Sequence, residues 1–291
     1  MSERGATKWT HESGRSLALE VGGRTLFEHR FDTARCKPHL HPWYTPGGTL
    51  LTCLEPWDHV WHRGLWFSWK YLDGVNYWEE REPKTDPEGE TVFEGPERLD
   101  LSPCRATLST ALSYRDPQGR TVLREERQIV LHAPEEPDAL RLDWHMTWTA
   151  PKDVKLDRTP PVEPTSWGGY AGLSWRAARS LGKFQALNSE SQKDAETHHA
   201  RARWTALWGL SDGLPLRHAG VAFFDHPHNP RYPTPWYVLL QPGFGYLNPA
   251  FLMEAPHTVQ AGASFTLRYR VLCFDGPGEY ERLEREARLF A

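Results

Sequence analysis

Ser264-Phe265-Thr266-Leu267-Arg268-Tyr269-Arg270-Val271-Leu272-Cys273-Phe274 alternates along its length, placing Phe265, Leu267, Tyr269, Val271 and Cys273 on one face. A period of two marks a strand that buries one side. The pattern recurs outward from it. Residues 16–21 and 24–30 flank Gly22-Gly23, a two-residue hairpin signal, 64–71 and 75–78 flank Asp73-Gly74, and 105–114 and 121–132 flank Asp116-Pro117-Gln118-Gly119. Further strand-like runs cover 140–149, 170–176, 183–187, 201–208, 220–224 and 236–240. Only 279–290, entered after Asp275-Gly276-Pro277-Gly278, carries apolar residues at helical spacing: Tyr280, Leu283, Ala287 and Phe290. A dozen or more strands in 291 residues predict an all-β fold, a large two-sheet antiparallel β-sandwich with a C-terminal helix. The loop-like stretches 80–96 and 151–164 are expected to lie within one domain spanning 1–291, because both sides read as the same kind of sheet.

Composition narrows the function classes. A net charge of -4 with scattered Lys and Arg offers no basic stripe for nucleic acid. No apolar run approaches the ~20 residues of a membrane-spanning helix, and the charged N-terminus lacks the apolar core of a secretory signal, so a soluble cytoplasmic protein is expected. Cys36, Cys53, Cys104 and Cys273 form no CxxC pair; the last three are expected to be small buried hydrophobes. There is no GxSxG elbow and no nucleotide-binding glycine pattern, so no cofactor is expected.

Two stretches concentrate chemistry. Asp58-His59-Val60-Trp61-His62-Arg63-Gly64-Leu65-Trp66-Phe67 joins two imidazoles, a carboxylate, a guanidinium and three large aromatics. Phe224-Asp225-His226-Pro227-His228-Asn229-Pro230-Arg231 repeats the theme between prolines. Both are expected at strand ends, as opposite walls of one polar pocket. His59, His62 and His226 are candidate acids or bases, His62 first, because a partly buried imidazole titrates near neutrality. Glu190, in the polar run 188–192, is a fourth candidate. Metal binding is a competing use of Asp58, His59 and His62, but HxxH without the intervening glutamate is not the zinc helix signature, and no metal is expected. His39 and His41 share one face of an extended segment; Trp78, Arg176, Asp225, Asn229 and Asn248 join Asp58, Arg63 and Trp66 as candidate ligand-binding residues. The glycine- and aromatic-rich run 241–250 has the texture of a rigid loop lining a pocket.

The blocks Lys37-Pro38 to Pro42, Asp58 to Phe67, Gly74-Val75-Asn76-Tyr77-Trp78, Asp225 to Trp236 and Gly245 to Ala250 together resemble a bacterial family catalogued as PmoA-like, after a methane monooxygenase subunit. The resemblance runs from about residue 15 to 275 and implies a fold and a pocket. The strand count and early histidines also resemble the galactose-mutarotase supersandwich, whose enzymes move protons at a sugar ring with a histidine acid and a glutamate base. Asn248-Pro249-Ala250 stands where that glutamate would be sought. Clustered histidines and 14 tryptophans lead to a carbohydrate-active enzyme that transfers a proton in isomerisation, elimination or hydrolysis, because indole stacks on sugar C-H faces. A non-catalytic carbohydrate-binding module and a metal-dependent hydrolase or oxygenase are the alternatives.

Overall fold

Glycines at +58° and +75° in φ close the Gly22-Gly23 turn between Ser16–Val21 and Arg24–Arg30, the double positive φ that a tight hairpin requires. From such local pairings the computed structural model builds two large antiparallel sheets; it describes residues 6–34, 37–80, 88–134, 138–162 and 167–291. In spatial order the first sheet runs Thr7–Glu12, Ser16–Val21, Arg24–Arg30, His39–Trp43, Leu65–Ser68, Gly172–Arg176, Phe244–Pro249 and Trp236–Gln241. The second runs Leu181–Asn188, Trp204–Ser211, His218–Asp225, Ser264–Asp275, Ala139–Thr149, Thr121–His132, Arg105–Arg115 and Glu90–Phe93, with Arg98–Ser102 also paired to Arg105–Arg115. A smaller sheet joins His257–Val259, Val154–Asp157, Tyr71–Leu72 and Val75–Asn76. The expected β-sandwich architecture and single terminal helix are both present, and among the described residues no helix is long and apolar enough to cross a membrane.

Alternation sorts side chains into three apolar layers. Between the large sheets, Leu65, Phe67, Leu173, Trp175 and Leu247 of the first meet Trp144, Trp148, Leu267, Tyr269, Val271 and Cys273 of the second. The opposite face of the second sheet, with Trp204, Phe224, Leu272 and Phe274, is covered by Leu283 and Phe290 of the helix Tyr280–Phe290. The opposite face of the first sheet carries a smaller cluster of Trp66, Trp78, Tyr237, Tyr246, Ala250 and Met253. Trp66 and Phe67 therefore point to opposite sides, as the period of two requires.

The central layer also holds charge. The buried Glu125 carboxylate accepts from Tyr114 Oη (2.6 Å), Trp148 Nε1 (3.1 Å) and Arg127 Nε (2.5 Å). An ion pair excluded from water persists only when its partners replace the lost hydration, as these do. The expectation of buried cysteines needs correction. Cys273 is buried and Cys53 half-buried, but Cys104 is exposed because it sits in the turn joining Arg98–Ser102 to Arg105–Arg115; Cys36 lies outside the described residues.

Buried histidines make this fold sensitive to acid. Burial drives His29 down to about 3 and His39 down to about 4. In the unfolded chain both bind a proton near the ordinary 6.5, so stability is complete above that pH and declines below it, by up to ~1.4 kcal/mol per pH unit for each group. Urea unfolding from pH 6.5 to 4.5 should show this decline, and His29→Gln should reduce its slope by the equivalent of about one proton. An unchanged slope would remove His29 from the account.

Candidate active site

The site grows from one turn. Residues 55–62 close through three backbone bonds, Glu55 N to His62 O, His59 N to Pro56 O and His62 N to His59 O, all 2.9 Å. Gly64, at φ +73°, then turns the chain into Leu65–Ser68; a Cβ there would stand 2.7 Å from the Leu40 carbonyl oxygen. This geometry stacks the His59 and His62 rings at 4.6 Å and 28°. His62 lies 5.0 Å from the Trp66 ring and 5.6 Å from Tyr246, while Phe244 stands edge-on to His59 at 5.0 Å.

Beside the histidines opens a small cleft with about 30 Å³ of room, walled by His59, His62, Trp78, Trp167, Tyr170, Tyr237, Leu239, Phe244 and Tyr246. Pockets that enclose a whole small molecule usually span ~300–1,000 Å³, so this cleft is small and admits only part of a ligand. Aromatic faces dominate its walls, and among the described residues no carboxylate lines it.

The charged groups stand behind the walls. The fully buried Arg176 donates from Nη2 to Asp58 Oδ2 (2.8 Å), reaches His62 Nδ1 from Nη1 (3.4 Å) and lays its guanidinium on the Phe244 ring. Arg179 donates to the other Asp58 oxygen (2.6 Å), and His59 Nδ1 is 3.3 Å from Asp58 Oδ2. Burial alone would raise Asp58, but the hydrogen bonds and charge of Arg176 outweigh it and hold the carboxyl at about 2. Desolvation lowers His59 below the usual histidine range despite Asp58. It lowers His62 much further, helped by neighbouring His59 and Arg176. Both imidazoles are thus neutral at pH 7. A second carboxylate near the cleft, Glu79, is pinned by Lys70 Nζ (2.6 Å), whose charge overcomes burial and keeps it low.

Among the residues singled out in the sequence, Asp58, His59, His62, Trp66, Trp78 and Arg176 come together here. Arg63, His39 and His41 flank the site without lining it. Arg63 is tied to Glu55 and to Glu80 (2.9 Å), His39 Nδ1 lies 3.0 Å from the Lys37 carbonyl oxygen, and His41 Nδ1 lies 2.9 Å from Thr52 Oγ1. Asn248 lies beneath the site as a clamp, its Nδ2 donating to the carbonyls of Ala171 (3.2 Å) and Leu173 (2.6 Å).

The expected second wall is elsewhere. His226 abuts Phe290 of the terminal helix (5.1 Å), on the far side of the second sheet. Asn229 is consumed by the backbone: Nδ2 donates to Asp225 Oδ1 and to the Arg268 carbonyl (both 2.7 Å), and Oδ1 accepts from Arg268 N (2.7 Å). Asp225, raised to about 7 by burial, also accepts from Thr234 N (2.8 Å). These polar groups hold a proline-rich connection in place. Glu190 is exposed in a turn, where Oε1 accepts from Ser189 Oγ (2.9 Å), and it does not reach the cleft. The walls instead come from Trp167, Tyr170, Tyr237, Leu239, Phe244 and Tyr246. Phe244 and Tyr246 fall in the run read as pocket-lining. Tyr237 and Leu239 share a face by alternation, but their pairing with Asn248 and Tyr246 is visible only in the register.

No curated protein matches this chain. Among solved structures, it is similar to the Slr1438 protein of Synechocystis sp. PCC 6803, at 10% identity over 94% of this chain and 96% of that one, with a TM-score of 0.36. It is also similar to the alpha-galactosidase of Lactobacillus brevis (10% identity, 98% of this chain and 41% of that one, TM-score 0.40). The GH36 alpha-galactosidase AgaA of Geobacillus stearothermophilus gives 13% identity over 92% of this chain and 40% of that one, with a TM-score of 0.38. The chain thus spans about two fifths of each galactosidase. Residues 16–288 match a family of unknown function, DUF6807, and the chain belongs to that family.

Proposed function

We propose that this protein is a carbohydrate-active enzyme that seats a sugar ring against the aromatic cleft and moves a proton on it with the His59 and His62 pair. The stacked, neutral imidazoles in the wall of an aromatic-lined cleft carry this reading. Aromatic faces match the C-H faces of a sugar ring, and imidazole nitrogens pair with its hydroxyls. The PmoA-like resemblance includes the 58–67 block and so supports the same pocket.

Within that class, isomerisation or elimination fits better than hydrolysis. Glycoside hydrolysis ordinarily needs two carboxyl groups, one of them protonated as the acid. Asp58 and Glu79 are both held ionised by cations and turned away to them. A metal-dependent reaction fits poorly, because the Arg176 guanidinium occupies the Nδ1 side of His62 and two arginines saturate Asp58. A non-catalytic sugar-binding module is the second reading, favoured by the lack of a carboxylate among the described wall residues.

Calorimetric titration with a panel of monosaccharides should find a ligand, and Trp167→Ala, on the half-exposed rim, should weaken it by ~3- to 10-fold, the worth of one aromatic contact. Binding insensitive to Trp167 would place the sugar elsewhere. NMR of that sugar over time should then show turnover, reduced ~100- to 10,000-fold in His59→Ala or His62→Ala; binding without any turnover would favour the module.

The pH profile follows from the neutral histidines. The base form is the deprotonated one, and burial holds both rings below 6.5, so kcat/KM should be level around pH 7 and fall as acid protonates the less buried His59. A rate that rises on acidification would contradict a neutral histidine base.

A further inference from the structure

The two adjacent histidines face opposite kinds of partner, and this gives them different protons. A guanidinium has donors and no acceptor. The Arg176 Nη1 group 3.4 Å from His62 Nδ1 therefore meets a lone pair, which leaves the single proton of this neutral ring on Nε2. An ionised carboxylate is only an acceptor. Asp58 Oδ2 lies 3.3 Å from the buried His59 Nδ1; the two are not aligned as a hydrogen bond, but a carboxylate at that distance favours the proton on that nitrogen and leaves Nε2 of His59 with the lone pair. Both rings line the cleft, with the Nδ1 edges turned to the Asp58 and Arg176 pair behind them.

We infer that Asp58 and Arg176 are positioning residues that lock His59 and His62 in opposite tautomers, so that His59 presents a base and His62 a hydrogen-bond donor to the same ligand. This division rests on the sugar reading of the cleft. In the step it describes, a substrate hydroxyl loses its proton to His59 Nε2, an N–H bond replaces the O–H bond, and the electron pair stays on the substrate oxygen. His62 Nε2–H donates to a second oxygen of the same molecule. The imidazolium formed at His59 is stabilised by Asp58, whose carboxylate already faces it. One ion pair thereby sets two functions, and the His62 lone pair lies on the side away from the ligand.

Tautomers are read directly by long-range 1H–15N correlation of imidazole nitrogens on the full chain at pH 7. Assignment uses His59→Gln together with through-bond correlation from each ring to its backbone. The expected spectrum shows His59 in the Nδ1–H form and His62 in the Nε2–H form. In Arg176→Met, His62 should lose its pure Nε2–H signature while His59 keeps its pattern; if that variant fails to fold, the wild-type spectrum alone decides. Both rings in one form, the two forms exchanged, or either ring doubly protonated would overturn the inference. Addition of the titrated monosaccharides separates it from the reading beneath it. With no sugar perturbing either ring, the sugar reading fails while the tautomer pattern stands, whereas sugar-dependent shifts on exchanged tautomers remove only the division of roles.

Discussion

A guanidinium with no exposed surface has to be paired, and in this protein that requirement organises the site. Arg176 ends the strand Gly172–Arg176 on the first sheet, and its charge is met by Asp58, far away in sequence on the turn that precedes Leu65–Ser68. Leaving that guanidinium alone in such a place costs ~3–5 kcal/mol, although the intact pair adds little net stability. Its value is placement. The pair fixes the turn carrying His59 and His62 against the sheet and packs Phe244 under the guanidinium, while burial, with the charges of His59 and Arg176, keeps the His62 ring neutral.

The abundance of tryptophan has a plain physical origin in the layering. The first sheet is apolar on both faces: Phe67 and Trp175 enter the layer between the sheets, while Trp66 and Tyr246 emerge on the other side. A sheet buried on both faces needs large side chains at successive positions, which explains the run Leu65-Trp66-Phe67. The cleft lies where this outer cover is incomplete, so its walls are the residues that elsewhere would be core.

Much of the fold was legible in the chain because hairpins and period-two burial are local signals. Residues 264–274 and the Gly22-Gly23 turn read correctly for that reason, and the terminal helix begins one residue after its expected start, with Glu279 as its cap. The site was half legible. Asp58, His59, His62 and Trp66 are neighbours in sequence and remain so in space, and Trp78 and Arg176 join them. The stretch 224–231 has the same residue types and misled for a chemical reason. Polar side chains between prolines are equally suited to satisfying the backbone of a connection that cannot form a ladder, and Asn229 spends its amide on the Arg268 backbone and the Asp225 carboxylate. The aromatic walls escaped notice because Tyr237 and Tyr246 share a hairpin whose register is not evident from residue types, and that hairpin reaches Tyr170 and the histidine turn only through the long-range pairing of Gly172–Arg176 with Phe244–Pro249 and Leu65–Ser68.

That pairing has a consequence for how the cleft comes into being. Leu65–Ser68 lies beside Gly172–Arg176 in register, Ser68 opposite Gly172 and Trp175 opposite Leu65, so the joining segment is about a hundred residues long. Loop-closure entropy makes such contacts late ones in folding. The histidines are in place early in the chain's own order, yet the arginine that conditions them arrives only when the two halves of the sheet meet. A nascent or truncated chain ending before residue 176 carries both imidazoles without that guanidinium, and the chemistry of the pair is therefore a property that the polypeptide acquires only on completing a distant connection.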